Sequence, residues 1–149
     1  MAAVLDVNAL RRVAAEVEAR KAAEEQHHHD AEEAKRKALL DELATPMQMD
    51  EKAIERGLQR VSAMVQAAAE RGRTEVLAFR FPNVLTTDRG RAINHGESGW
   101  PKTLTGRPLQ IYQFWEAHLA PQGFKLKASI VDFPGGMPGD VGFFLGWGD

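Results

Sequence analysis

The chain has 149 residues, 44% of them hydrophobic and 27% charged, with a formal net charge of -2. That length allows one domain with a core plus an additional element, and the composition suggests neither a fibrous nor a membrane class. No apolar run approaches the roughly 20 residues a membrane-spanning helix needs, and the absence of cysteine removes disulfides, thiolate metal sites and cysteine nucleophiles together.

The N-terminus MAAVLDVNALRRVAAEVEAR lacks a basic start followed by an apolar run, so it does not read as a secretory signal. Asp6, Glu16 and Glu18 argue against an organelle transit peptide. These features fit a cytoplasmic protein. Residues 6–44 are almost free of Gly and Pro and rich in Ala, Glu, Lys and Arg, which predicts one long helix. If continuous it would extend roughly 58 Å at 1.5 Å per residue. Leu10, Val13 and Val17 are spaced like a short heptad seam, and Leu39, Leu40 and Leu43 make a second patch. Residues 18–38 contain no large aliphatic side chain. Such a stretch is an exposed rod, part of an Ala-packed coiled coil, or partly disordered.

Within this helix lies EEQHHHDAEE, residues 24–33. Consecutive helical residues point about 100° apart, so His27, His28 and His29 cannot converge on one ion. The pairs Glu24–His28 and His27–Asp30 each supply two ligands at most, and a tetrahedral site would need a second chain. No metal or cofactor is expected.

Pro46 ends the first helix, since it cannot continue the hydrogen-bond ladder. Asp50 is placed to cap a second helix, whose apolar face is Ile54, Leu58, Val61, Val65 and Ala68. Gly72 suits the left-handed stop. TEVLAFRF then reads as a strand, with Leu77, Phe79 and Phe81 on one face and Val76, Ala78 and Arg80 on the other. TTDRGRAINHG has the character of one or two helical turns capped by Thr86 or Thr87. RPLQIYQFWEAHL predicts a third helix that buries Ile111, Trp115 and Leu119 with Tyr112, Pro108 sitting in its first turn. KLKASIVDF alternates as a strand with Leu126, Ala128 and Ile130 on one face, and VGFFLGW reads as the last strand.

Together these elements predict an α+β protein in two parts. Residues 1–45 form a long charged helix able to enter a coiled coil. Residues 46–149 form a small α-β-α-β-β module with a three-stranded mixed sheet. The first two strands flank a helix and are expected to pair in parallel through a right-handed crossover, and the last two form a hairpin.

Two loops carry the candidate sites. The connection TTDRGRAINHGESGWPKTLTGRP is long for an unstructured link. It lies in the one region of positive excess, residues 73–107, with six Lys/Arg against three Asp/Glu. Arg89, Arg91, Asn94, His95, Trp100, Lys102 and Arg107 are its candidate binding residues, since arginines leaving the end of a strand suit carboxylate or phosphate. A purely structural role has Asp88 paired with Arg91 and Trp100 covering the edge of the core. The second loop, DFPGGMPGD at residues 132–140, does not open a helix and has no lysine, so it is not a phosphate cradle. Its aspartates lack the alternate acidic spacing of a calcium loop. It reads as a long hairpin turn, with Met137 exposed as a partner contact.

GESGW falls short of a nucleophile turn, because Trp100 stands where a glycine is required. Asp88, His95, His118 and Asp132 are the acid–base candidates, and nothing in their spacing links them. The expected function is therefore that of a non-enzymatic interaction or regulatory protein. It would self-associate or dock through its long helix, with a homo-oligomer or another protein as partner, and present a surface on the module. The alternative is a small enzyme or a domain that binds an anionic small ligand through the basic connection 86–107. Nucleic acid is disfavoured by the modest basic excess and the acidic helix.

Overall fold

The computed structural model describes residues 6–148; residues 1–5, the start of the N-terminal segment read above, lie outside it. The chain divides into two compact units between Leu39 and Leu40. The first unit is helical. Helix α1 spans Val7–Ala44, and Leu43 is its one buried residue. The Asp6 carboxylate accepts from the Asn8 amide at 3.0 Å and closes the first turn. Val7, Leu10, Val13 and Val17 stay 60%, 60%, 55% and 37% exposed on one stripe. Imidazole–carboxylate contacts run from His28 to Glu32 and from His29 to Glu33, four residues on. The pairs Glu24–His28 and His27–Asp30 do not form, and among the described residues no group of three His, Asp or Glu is placed to hold a metal.

The second unit begins with the last turn of α1. Helix α2 spans Glu51–Glu70, with the Asp50 carboxylate accepting from the Ala53 amide at 2.8 Å as expected of a cap. Strand β1 (Glu75–Phe81) leads through short 3-10 turns and one helical turn, α3 (Arg91–Asn94), to helix α4 (Gly106–Phe114). Strands β2 (Lys125–Ile130) and β3 (Val141–Gly146) follow.

The sheet order is β1–β3–β2, and both ladders are antiparallel. The mixed sheet expected from the sequence is thus corrected. Strands β1 and β2 do run in the same direction, but β3 is inserted between them and pairs with both. The physical reason is in β3 itself. Val141, Phe143 and Leu145 are 0%, 0% and 2% exposed, and the strand that must be covered most completely takes the position with neighbours on both edges.

The faces of β1 also differ from the simple alternation. Val76 pairs with Leu145, Leu77 with Phe144 and Phe79 with Phe143, so Ala78 is an extra residue without an opposite number. This bulge flips the face. Val76 joins Phe79 and Phe81 on the core side, and Leu77 goes to the other side, 41% exposed. In β2 the expected set Leu126, Ala128 and Ile130 does face the core, opposite Leu145, Phe143 and Val141.

The centre of the core is aromatic. The Phe143 ring lies 5.0 Å from Phe81, 6.2 Å from Phe79 and 5.9 Å from Trp100. Leu43, Leu85, Ile93 and Leu104 close around it. Helix α4 does not continue regularly beyond Phe114. It widens into a π turn at Trp115–Leu119 and tightens again at Ala120–Gln122, where Pro121 ends the ladder. Leu119 is buried, while Ile111, Tyr112 and Trp115 are half-buried.

Candidate functional site

The connection between β1 and α4 is not an open basic loop. The Thr86 hydroxyl donates to the Asn83 carbonyl at 2.7 Å and accepts from the Gly90 amide at 2.6 Å. The Asp88 carboxylate accepts from the amides of Gly90 at 3.1 Å and Ala92 at 2.9 Å. Thr86 and Asp88 thus share the Gly90 amide just before α3, and Asp88 alone of the two reaches an amide inside it, that of Ala92; Asp88 makes no ion pair with Arg91 among the described residues. Thr86 bridges to Leu104, and the amides of Thr87 and Thr105 bond across to Thr103 and Leu85. The segment is folded by its own backbone.

Its candidate residues separate accordingly. Arg89, Arg91, Asn94, His95 and Lys102 are exposed. Arg89 holds a left-handed backbone, φ 56°, a conformation that costs a side-chain-bearing residue roughly 1–2 kcal/mol. Trp100 turns inward, its ring 5.6 Å edge-on from Tyr112, so it covers the core. Arg107 leaves the group altogether. Its guanidinium donates to Glu42 and to the Thr45 carbonyl, each at 3.2 Å. Beside it, Gly106 has φ +57°, and a Cβ there would stand 2.6 Å from the Leu43 carbonyl oxygen. Only glycine lets α4 start this close to the end of α1.

The glycine-rich loop is built around a cation from the protein. Arg80 reaches Asp140 at 2.9 Å and Asp132 at 3.2 Å, and the Asp132 carboxylate also accepts from the Asp140 amide at 2.6 Å. These bonds, the hydrogen bond to Asp140 foremost, raise the Arg80 pKa above its ordinary value. The Asn83 side-chain Nδ2 donates to the Pro138 carbonyl at 2.7 Å and holds the far limb. What remains free is apolar: Phe133 is 51% exposed and Met137 68%. The outer face of the sheet is apolar at its centre too. Leu77, Val131 and Phe144 crowd the space over Gly142, and the Lys127 ammonium lies 5.3 Å from the Phe144 ring centre.

The acid–base candidates have separate surroundings. Asp88 caps α3, Asp132 binds Arg80, His118 packs against the Phe114 ring at 5.2 Å, and His95 is exposed. Ser98 is an exposed turn residue. Burial raises the Tyr112 phenol above its usual pKa, and the Glu116 carboxylate adds to the effect.

A cavity of about 310 Å³ lies between α2, α4 and the core face of the sheet. Its walls include Val61, Met64, Phe79, Ile111, Phe114, Trp115 and Leu126, and its charged residues are Arg56, Arg60 and Arg107. The Trp115 indole donates to the Phe124 carbonyl at 3.0 Å, which fixes the ring that forms part of the wall. A Cβ at Gly57, in the middle of α2, would stand 3.1 Å from the Phe114 ring, a tight contact that a small shift of the ring would have to relieve. None of the binding residues expected from the sequence except Arg107 lines this cavity. Its available signals were that glycine inside an otherwise regular helix and the methionines around it. No protein family matches the chain, and neither curated proteins nor solved structures provide a match. Among the described residues, no helix is long and apolar enough to cross a membrane.

Proposed function

We propose that the chain is a non-enzymatic, cytoplasmic interaction protein that associates with a second copy of itself through the N-terminal part of α1. The module presents a further contact surface at the 132–140 loop. One observation carries this reading: between Val7 and Leu39 no side chain is buried, yet Val7, Leu10, Val13 and Val17 share one stripe. A helix gains most of its stability from packing an apolar face, and a partner helix supplies that packing in a short heptad seam. The separate engagement of Asp88, His118 and Asp132 supports the absence of a catalytic centre. The exposed Phe133 and Met137 at the tip of a braced loop support the second contact.

Analytical ultracentrifugation at two protein concentrations tests the association. The mass is expected to rise with concentration, and the Leu10→Glu, Val13→Glu double variant is expected to remain a monomer. A monomeric wild type at both concentrations would remove self-association.

A further inference from the structure

We infer that the cavity of the module binds a medium-chain aliphatic carboxylate, its chain inside and its carboxylate on Arg56 and Arg60. The inference goes beyond the proposed self-association and uses none of the same residues.

The shape comes first. At about 310 Å³ the space is at the lower end of small-molecule sites, which run from roughly 300 to 1,000 Å³. With about 30 Å³ for each water-sized group, it holds roughly ten non-hydrogen atoms. The walls that would receive them are the side chains of Val61, Met64, Phe79, Ile111, Phe114 and Leu126. Methionine bends to fit an irregular guest.

Charge decides the head group. Every charged residue lining the cavity is an arginine. Arg107 is engaged by Glu42 and the Thr45 carbonyl, and Gln110 by both backbone groups of Met47. Arg56 and Arg60 make no ion pair among the described residues. They stand four positions apart on α2, one turn along the same face. Like charges at that spacing repel, and a shared carboxylate removes the repulsion while accepting paired hydrogen bonds from either guanidinium. No carboxylate lines the space to oppose an anion or attract a cation.

The test is calorimetric titration of the full chain with decanoate and with decyltrimethylammonium, both kept below micelle-forming concentrations. Decanoate is expected to bind once per chain, and the cation of equal chain length at least tenfold more weakly. An Arg56→Gln, Arg60→Gln variant, whose circular dichroism and melting should match the wild type, is expected to weaken decanoate at least tenfold. Val61→Phe, which places a ring in the cavity, is expected to abolish binding. Absence of saturable decanoate binding overturns the inference. So does equal binding of anion and cation, or binding unchanged in the double arginine variant. Because stoichiometry is read per chain, a failure here is distinct from a failure of self-association.

Discussion

The stretch Val7–Leu39 and the strand β3 show opposite solutions to the same requirement. In the helix no residue is buried over that whole length, whereas four of the six residues of β3 are. A helix satisfies its backbone groups internally, so a polar sequence can form one without covering any of it. A strand has no internal partners and must find them on its edges. The central strand finds both, and the apolar side chains follow the backbone into the interior. What is left over in α1 is a stripe of aliphatic side chains that nothing in the described residues covers.

The contrast is broken most severely at its buried pole. Phe143→Ala removes a fully buried ring from the centre of an aromatic cluster and is expected to cost about 3–5 kcal/mol. Trp115→Ala should fall near the lower end, about 3 kcal/mol, since one side of its ring already faces the cavity. Urea denaturation measures both. A loss below about 1 kcal/mol at either site would place that ring on the surface.

Much of this organisation was legible locally. The helices, the Asp50 cap and the alternation of β2 depend on residues near one another in sequence. The order of the strands was not legible, because it depends on β3 competing for a partner some 60 residues away. The Ala78 bulge was hidden for a similar reason: alternation along β1 alone looked regular, and only pairing with β3 exposes the extra residue. The two aspartates of the glycine-rich loop read only as parts of a turn, because the cation they hold, Arg80, lies 52 and 60 positions from them. Arg107 was grouped with the basic connection by proximity in sequence, whereas its partners are on the last turn of α1 and just beyond. A cavity is the remainder of a packing arrangement, so no single segment encodes it.

Two truncations sharpen the boundary. Removing residues 1–39 is expected to leave the melting of the remainder within about 1 kcal/mol of the full chain, or roughly 4–8 °C. Removing residues 1–49 takes away Leu43, 7% exposed, and the half-buried Leu40 against the core, together with the partners of Arg107 and Gln110. That cut should cost at least about 2 kcal/mol. Equal melting of the two fragments would show that the last turn of α1 contributes nothing to the module.

Gly106→Ala probes the same junction by one atom. The added Cβ meets a carbonyl oxygen at 2.6 Å in a left-handed backbone. Since that oxygen belongs to the backbone and cannot rotate away, a loss of about 1–3 kcal/mol is expected. Thermal melting that matches the wild type would mean that α1 and α4 separate there without consequence.

The smallest effect is expected in the middle of α1. His28 and His29 each face a glutamate one turn ahead, yet the four side chains are 64–78% exposed. Solvent screens contacts of this kind, and exposed pairs contribute only about 0–1 kcal/mol. Replacing both histidines by Gln keeps hydrogen-bonding capacity and good helix propensity. Denaturation at neutral pH should shift by less than about 0.5 kcal/mol. The sedimentation behaviour of the full chain should also be unchanged, because the proposed seam ends at Val17. A larger loss, or a change in association, would show that residues 27–33 are packed against a partner and that the contact extends along the helix beyond its aliphatic stripe.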